Sequence, residues 1–320
     1  MTRTDGAPAL SVVTRTQGAN QAPTDGSVVP RTAALRFTEV PVLVQAFRSM
    51  VRELRYDVCE MALTTYLCAR EHGIAFTALP VFLVRGFHHG AIVTAPPRPG
   101  RSVVSPAGLA GQRVGVNRGY TVTTGVWARA ILAREYGADL DAITWVRSGD
   151  EHVAAYRPPP NVVPLPAGAS LAGLLGAGEL AAAVGAGPDL EGMVPLIPDA
   201  AEAGYRALRE RGHYPVNHLV VVRDDVLAAR PGLDADLFGA FARAKQPYLE
   251  RLRRGESVTA TDLMYERVMR ITGEDPLPYG IEPNRAVLAE LIENAVAQHI
   301  LAEAPAIDGL FAAGTRTLAG

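Results

Sequence analysis

The chain has 320 residues, of which 48% are hydrophobic and 20% charged, and its formal net charge is −2. This length is sufficient for two domains of ordinary size. Basic and acidic residues are interspersed, which argues against nucleic acid or a membrane surface as a partner, and no apolar run approaches the roughly 18 residues that a membrane helix needs.

The N-terminal segment contains no apolar run of the length that a secretory signal requires, about 7 to 15 residues, so a cytoplasmic protein is expected. Cys59 and Cys68 form neither a CxxC motif nor a zinc-type spacing with histidine. They predict free thiols in a reducing compartment rather than a disulfide.

Strand and helix patterns alternate over the first third of the chain. Short apolar runs predict strands, and apolar residues spaced three or four apart predict helices. The helix that follows the second strand begins at a threonine cap and ends at Gly73. In chain order the predictions are a strand over 9–15, a helix over 41–54, a strand over 56–62, a helix over 64–73 and extended segments over 76–83 and 86–93.

A stretch rich in proline, glycine and serine over 94–106 predicts a crossing between two domains. The alternation then resumes, and the chain beyond residue 232 is mostly helical. This order of β/α units with a late return strand predicts an α/β protein of two lobes with two crossings. The later predictions are a strand over 109–116, a helix over 121–138, a strand over 142–149, a proline-rich loop over 156–169, a helix, strand and turn over 170–188, and a strand with a capped helix over 217–232.

Five sequence blocks, in this order, resemble the 4,5-dihydroxyphthalate decarboxylase family over roughly residues 10–312. The resemblance implies the fold of type 2 periplasmic binding proteins, with a ligand cleft between the lobes and two hinge crossings. Lobe one would be residues 1–97 and 217–320, and lobe two residues 98–216. It also implies an enzyme that removes CO2 from an aromatic carboxylate without a cofactor. The blocks are YDVCEMALTTYL (56–67), RGFHHGAIV (85–93), LAGQRVGVNRGYTVTTGVWARAIL (109–132), NHLVVVRDDV (217–226) and PYGIEPNR (278–285).

Two predicted helices begin just after strands with hydroxyl-bearing residues. In open α/β sheets, ligands bind at the carboxyl ends of strands, where helix N-termini present N–H groups. These junctions can hold an aromatic carboxylate, and ordinary helix capping by one threonine each is the alternative. Arg118 and Tyr120, on the second turn, can add charge and stacking. The substrate-binding candidates are Thr64, Thr65, Arg118, Tyr120, Thr121, Thr123 and Thr124.

Two adjacent histidines, His88 and His89, lie in the predicted extended segment. Side chains alternate faces along a strand, so Arg85, Phe87 and His89 share one face. These positions also match the family pattern, which favours His89, with Arg85, as the group that delivers a proton to the ring carbon. A hydrogen-bonded structural imidazole is the alternative for His89, and His88 is expected to be exposed or to lie between the lobes.

Glu60 and His218 are further catalytic candidates. Glu60, at the carboxyl end of its strand, can orient a substrate hydroxyl, polarise His89 or pair with Arg85. His218 can serve as a second proton donor or acceptor at the hinge, or its ring can be satisfied by backbone groups. Glu60, His89 and His218 together are a conceivable metal set. Because no metal-type spacing supports it, neither a metal nor a cofactor is predicted.

Two polar segments have simpler interpretations beside functional ones. Asp150, Glu151 and His152 are interpreted as a polar turn after a strand. In the PYGIEPNR block, Tyr279 is a candidate that can reach the cleft, while Asn284 caps the last helix.

Two loops depart from the family pattern. The family has an acidic–aromatic turn after the first strand and an arginine in the turn after the lobe-two strand, whereas this chain has TRTQGAN (14–20) and AVGAGPD (183–189). Loss of the arginine removes a clamp for a second ring carboxylate. The prediction is therefore a decarboxylase for a small hydroxylated aromatic or cyclic carboxylate, with a homo-oligomer as one possible state. The alternatives are a small-anion binding protein and a biosynthetic lyase or dehydratase of the same fold.

Overall fold

The computed structural model describes residues 9–99, 104–185, 187 and 190–320. The described chain divides into two compact units. Unit 1 contains residues 9–86, 216–289 and 305–320, and unit 2 contains the described residues of 87–215 together with 290–304. Sequence analysis placed residues 87–97 and 290–304 with lobe one, but they join unit 2. One physical reason is that strand Ile92–Thr94 pairs with strands of unit 2.

The strands form two sheets, one in each unit, and most begin or end at predicted boundaries to within a few residues. In chain order the strands are β1 (Leu10–Val13), β2 (Leu35–Phe37), β3 (Val58–Ala62), β4 (Phe76–Arg85), β5 (Ile92–Thr94), β6 (Arg113–Val116), β7 (Thr144–Arg147), β8 (Val162–Pro164), β9 (Ala182–Val184), β10 (Val194–Pro195) and β11 (Val216–Arg223).

The helices follow the apolar periodicity of the sequence. The glycine predicted to end a helix, Gly73, lies just after the C-cap residue His72 and has a left-handed φ of 74°. The helices are α1 (Gln21–Asp25), α2 (Leu43–Glu53), α3 (Leu63–Glu71), α4 (Thr123–Tyr136), α5 (Leu171–Ala177), α6 (Ala200–Arg211), α7 (Asp224–Ala229), α8 (Leu233–Arg253), α9 (Ala260–Thr272) and α10 (Arg285–Ala297).

In unit 1 the sheet order is β2-β1-β3-β11-β4. β1 runs parallel to β2 and β3, whereas β11 runs antiparallel to both β3 and β4. β1, β3 and β4 therefore point the same way and end at one edge, which is also the edge where β11 begins. We call it the carboxyl edge of the unit 1 sheet.

The core of unit 1 lies between this sheet and α8. Alternate residues of β4 (Leu79, Val81) and β11 (Val220, Val222) pack with Phe241 of α8 in one buried cluster. Burial of each such side chain contributes roughly 1.5–3 kcal/mol. The alternation explains why these segments read as strands in the sequence.

In unit 2 the order is β10-β5-β9-β6-β7-β8. β6 runs parallel to β7 and β9, and β7 runs parallel to β8, while β5 is antiparallel to β9 and β10. β8 lies inside the segment predicted as a proline-rich loop. Its pairing with β7 is a long-range contact that the local composition does not indicate.

Two local predictions are wrong. Residues 86–93 do not form one extended segment: β4 ends at Arg85, a 3₁₀ turn spans His89–Ala91, and β5 begins at Ile92. The chain passes from unit 1 to unit 2 in this segment. Helix α3 is not capped by a threonine either, because its N-cap is Ala62 and Thr64 lies within the first turn.

Lys245, on α8, is the only lysine in the chain and is completely buried. Its ammonium donates hydrogen bonds to the carbonyls of Leu277 (2.6 Å) and Gly320 (2.8 Å) and pairs with Asp275. Replacement by methionine keeps the volume but leaves these acceptors without a donor. Lys245→Met is expected to lower the free energy of unfolding by about 3 kcal/mol, measured by urea denaturation.

The matched control is Arg253→Met, an exposed position on the same helix. We expect a change within about 0.5 kcal/mol for that variant. An equal loss of stability in the two variants would contradict the role assigned to Lys245.

Candidate active site

The carboxyl edge of the unit 1 sheet gathers the candidates Glu60, Arg85 and His218. Glu60 lies near the end of β3, and His218 is the Cα partner of Ala62 in the antiparallel pairing of β11 with β3. Arg85 is the last residue of β4 and pairs with Val216. Strand register therefore brings together residues that are far apart in the sequence.

Glu60 and His218 form a hydrogen-bonded pair. Glu60 Oε1 lies 2.6 Å from His218 Nδ1, and Glu60 Oε2 accepts the backbone N–H of Arg15 at 2.9 Å. Glu60 is completely buried, whereas the His218 side chain is 19% exposed. The ring of Phe47 meets the imidazole edge-on, with 5.2 Å between centroids. The carboxylate thus fixes the ring through Nδ1 and directs Nε2 away from itself.

The register explains this pair. Glu60 is opposite Val220, and residues two apart on a strand share a face, so His218 projects to the same face as Glu60. Sequence analysis joined Glu60 and His218 only as members of a conceivable metal set with His89, and otherwise connected Glu60 to His89 or Arg85. The direct hydrogen bond joins residues 158 positions apart, and nothing in the local pattern of either strand indicates it.

Arg85 is held by the PYGIEPNR block. Its Nη1 donates to Asn284 Oδ1 at 2.8 Å, and the Asn284 amide donates to the carbonyls of Pro278 and Gly280, both at 2.8 Å. Arg85 is 6% exposed. Through Asn284, this block therefore positions Arg85 and the turn at residues 278–280. Capping of the last helix is not the only role of Asn284.

Tyr279 lies in the core of unit 1. It is 0% exposed, and its ring contacts Phe238 and the ammonium of Lys245, 4.1 Å from the ring centroid. Burial raises the pKa of its phenol well above the ordinary value. Its ring thus serves the core packing of unit 1, and a contact of Tyr279 with a ligand stays a prediction.

Thr64 and Thr65 occupy the first turn of α3, directly after β3, and both are completely buried. They lie at the carboxyl edge of the sheet, as expected. Their place inside the helix shows that they do not act as N-caps, so the simpler alternative for these threonines is wrong. A role in holding a ligand stays a prediction.

His89 belongs to unit 2, where its ring is completely buried. Its Nε2 lies 3.0 and 3.1 Å from the two oxygens of Glu135, which also pairs with Arg211. The ring of His213 packs at 6.3 Å between centroids. These are the contacts of a structural imidazole, the alternative raised for His89. The strand-parity argument that joined it to Arg85 fails because β4 ends at Arg85.

His88 is also buried, with 5% of its surface exposed, so the first of its two alternatives, an exposed residue, is wrong. A position between the lobes stays a prediction. The turn at His89–Ala91 folds both histidines into unit 2. Neither their adjacency nor a strand alternation decides their environment.

The start of α4 in unit 2 is organised around Glu151. Its carboxylate accepts the backbone N–H groups of Tyr120 (2.6 Å) and Thr121 (3.1 Å) and the Thr121 hydroxyl (2.8 Å). Glu151 is 7% exposed, and so it belongs to the interior rather than to a solvated turn. The protein's own carboxylate therefore occupies the N–H groups before the helix, while Thr123 and Thr124 form its first turn. Sequence analysis missed this role.

Tyr120 and Arg118, on the same turn, have different environments. Tyr120 is 2% exposed, and the Arg129 guanidinium lies 3.8 Å from its ring centroid. Burial raises the pKa of its phenol, in spite of the positive charge of Arg129. Its ring is thus used for internal packing. Arg118 is exposed, with a left-handed φ of 71°, and its N–H donates to Ser148 Oγ at 2.8 Å.

Neither a metal-binding cluster nor a membrane-spanning helix is found among the described residues. Within residues 9–99, 104–185, 187 and 190–320, no group of three or more His, Cys, Asp or Glu side chains is arranged to hold a metal ion. Over the same residues, none of the helices combines the length and the apolar character that crossing a bilayer demands.

A relative with a known activity places the chain in a family. No family model matches the sequence. However, 4,5-dihydroxyphthalate decarboxylase of Comamonas testosteroni is 30% identical over 262 residues, which cover 76% of this chain and 78% of that protein. The chain belongs to the 4,5-dihydroxyphthalate decarboxylase family. The resemblance predicted from the five sequence blocks is therefore confirmed.

Solved structures of low sequence identity share the fold of this decarboxylase-family chain. A Candida albicans protein with the generic periplasmic binding protein fold has a TM-score of 0.55 at 12% identity, covering 94% of this chain and 93% of that one. The periplasmic aliphatic sulphonate binding protein of Escherichia coli has a TM-score of 0.52 at 11% identity, covering 96% and 98%. These similarities concern the fold alone, and they confirm the predicted α/β fold of the periplasmic-binding-protein type.

The pair formed by the buried His89 and the partly exposed Glu135 predicts a pH-dependent stability. Burial raises the pKa of Glu135, but the hydrogen bond and charge of His89 and the charge of Arg211 outweigh it, so the pKa lies below its ordinary 4.5. A lowered carboxyl pKa contributes stability that is fully present above about pH 4.5 and is lost as the pH falls through the folded-state value. Glu135→Gln is expected to destabilise the protein by about 1–3 kcal/mol near neutral pH and to flatten the acid limb of the stability profile.

Urea denaturation between about pH 3.5 and pH 7 measures this effect. Glu293→Gln, which removes an ion pair on a carboxylate that is 66% exposed, is the control and should change stability little. A profile for Glu135→Gln that keeps the wild-type slope would contradict the assignment.

Proposed function

We propose that this chain is a cofactor-independent decarboxylase that acts on a small hydroxylated aromatic carboxylate. The main support for this proposal is that the chain belongs to the 4,5-dihydroxyphthalate decarboxylase family. The buried Glu60 and partly exposed His218, joined at 2.6 Å, supply a group that can move a proton, which the reaction requires.

In the proposed reaction a proton binds to the ring carbon that carries the carboxylate. The bond between that carbon and the carboxylate then breaks, its electron pair returns to the ring, and CO2 leaves. His218 delivers the proton from Nε2, while Glu60 holds the ring by Nδ1 and compensates the charge of the imidazolium. Removal of water from around the carboxylate favours the loss of its charge as CO2 departs.

The proposed substrate is a hydroxylated benzoate or phthalate. The family relative is named for a substrate with two ring carboxylates, but two loops of this chain depart from the family pattern. One of them, 14–20, contributes the N–H of Arg15 to Glu60. The other, 183–189, includes residues 186, 188 and 189, which lie outside the described residues. We therefore include substrates with one carboxylate.

The second candidate is a non-catalytic protein that binds a small anion. Its support is the fold shared with the Escherichia coli sulphonate binding protein. Release of CO2 separates the two functions. A cytoplasmic location, a homo-oligomeric state and a biosynthetic lyase or dehydratase activity stay predictions.

The enzyme proposal is tested by incubating purified protein with a panel of hydroxybenzoates and hydroxyphthalates and measuring CO2. His218→Asn is expected to lower kcat by about 10²–10⁴-fold because it removes the proton donor. Glu60→Gln is expected to lower kcat by about 10–100-fold, since the ring loses its charged partner.

His299→Asn is the matched control, because His299 is an exposed histidine with φ of 58°, a conformation that asparagine tolerates. Its kcat should equal that of the wild type. If no compound releases CO2 while one of them raises the melting temperature, the binding-protein candidate replaces the enzyme.

A further variant tests whether His89 or His218 has the catalytic role. Because His89 is completely buried and held by Glu135, His89→Gln is expected to lower the melting temperature and to leave kcat of the remaining folded protein within about three-fold of wild type. Activity is measured together with the folded fraction by circular dichroism. A larger loss of kcat in His89→Gln than in His218→Asn would transfer the catalytic role to His89.

A further inference from the structure

The Glu60 carboxylate has two partners, and only one of them is His218. Its Oε1 contacts Nδ1 of His218 at 2.6 Å, whereas Oε2 accepts the backbone N–H of Arg15 at 2.9 Å. A carboxylate group is planar and rigid, so its two oxygens move together. The position of the Arg15 N–H therefore influences where Oε1 meets the imidazole.

The strand ladder does not extend to the backbone of Arg15. β1 ends at Val13, whose partner on β3 is Cys59, and Arg15 lies two residues beyond that last pair. Its N–H donates to the Glu60 side chain. Contacts within the loop after β1 are consequently needed to hold this part of the backbone in place.

Asn20 supplies such contacts. Its side chain is completely buried, and its Oδ1 accepts the Gln17 N–H at 2.9 Å. Its amide donates to Thr14 Oγ1 at 3.2 Å and to the Arg15 carbonyl at 2.9 Å. One side chain thus closes the loop, and it holds the same residue whose N–H reaches Glu60.

The three bonds of Asn20 use both halves of its amide. Oδ1 faces an N–H donor, and Nδ2 faces two oxygen acceptors. Aspartate has nearly the same shape, but it has no N–H to donate, and its second oxygen would face the Arg15 carbonyl. Exchange of Asn20 for aspartate therefore removes the donors with little change of volume.

The loop also rests on α8. Gly18 lies against the ring of Tyr248, and a Cβ atom at position 18 would overlap that ring. Tyr248 is 4% exposed, and its hydroxyl donates to Asp262 Oδ1 at 2.6 Å. The ring is therefore a fixed surface against which Asn20 holds the loop.

We propose that Asn20 is a positioning residue of the candidate active site. It holds the Arg15 backbone, the Arg15 N–H orients the Glu60 carboxylate, and Glu60 sets the orientation of the His218 imidazole. Asn20 acts without contact to the substrate. Its effect on turnover rests on the proposed decarboxylase reaction, whereas its effect on the Glu60–His218 pair does not.

The first test is kinetic. Asn20→Asp is expected to lower kcat about ten-fold, because the proton donor is displaced. KM should stay within about two-fold of the wild-type value, since the groups that bind the substrate are kept. A change of KM larger than the change of kcat would overturn the proposal.

The matched control is Asn161→Asp in unit 2. The Asn161 amide donates to the carbonyls of Leu140 (3.2 Å) and Ile143 (3.0 Å), so the variant loses the same kind of contact without touching the loop after β1. Its folded fraction, measured by circular dichroism, should have the kcat of the wild type. A ten-fold loss of kcat in this control as well would overturn the proposal.

A double-mutant cycle tests whether Asn20 acts through Glu60. Asn20→Asp combined with Glu60→Gln should have the kcat of Glu60→Gln alone, to within about two-fold, because the charge that Asn20 positions is then absent. If the two losses multiply instead, the residues act independently and the proposed role of Asn20 is wrong.

A measurement without substrate examines the pair itself. In protein labelled with ¹⁵N-histidine, the short hydrogen bond to the carboxylate should give the Nδ1 proton of His218 a downfield resonance, which His218→Asn assigns by its loss. We expect this resonance to move upfield in Asn20→Asp and to keep its position in Asn161→Asp. If Asn20→Asp does not fold, Thr14→Val, which removes one acceptor of the Asn20 amide, replaces it with a smaller shift in the same direction.

The spectrum and the kinetics distinguish the two proposals. An unchanged His218 resonance in the folded Asn20→Asp or Thr14→Val protein would overturn the role of Asn20, whether or not any compound releases CO2. A shifted resonance without CO2 release from any compound would support the role of Asn20 in the pair and count against the decarboxylase proposal.

Discussion

The antiparallel pairing of β11 with β3 is the constraint on which the candidate active site depends. It places His218 beside Ala62, and so brings its ring to the carboxylate of Glu60. A slip of one residue would turn His218 to the other face of the sheet and leave a buried carboxylate without this partner. Burial of a charge without a partner costs several kcal/mol. The register that is favourable for folding is therefore also the one that forms the Glu60–His218 pair.

Buried polar side chains with hydrogen-bonding partners occur in both units. Lys245 joins α8 to two carbonyls and Asp275, while His89 contacts Glu135. A histidine that touches a carboxylate is therefore not by itself a mark of catalysis in this protein. The two histidines that contact a carboxylate differ in exposure. The side chain of His218 is 19% exposed, and that of His89 is 0% exposed.

The loop after β1 connects two features of unit 1. Its Arg15 N–H holds Glu60, and its Gln17 lines a cavity beside α8 and α9. The same short loop therefore supports the buried carboxylate of Glu60 and forms part of the surface beside α8 and α9.

The sequence by itself determined most of the order of α and β elements, without β2, β8, β10, α1 and α6, and it determined the apolar strands β3, β4 and β11 and the blocks that identify the decarboxylase family. It also named Glu60 and His218. Local periodicity encodes which face of an element is buried, and this information needs no distant residue.

Only the tertiary structure decided which side chains contact one another. Glu60 pairs with His218, Glu151 accepts the N–H groups before α4, and Tyr279 packs in the core of unit 1. The strand-parity argument for His89 failed because β4 ends at Arg85, where the chain leaves one unit for the other. Contacts of this kind join residues far apart in the chain, and a pattern read over a short window contains no information about them.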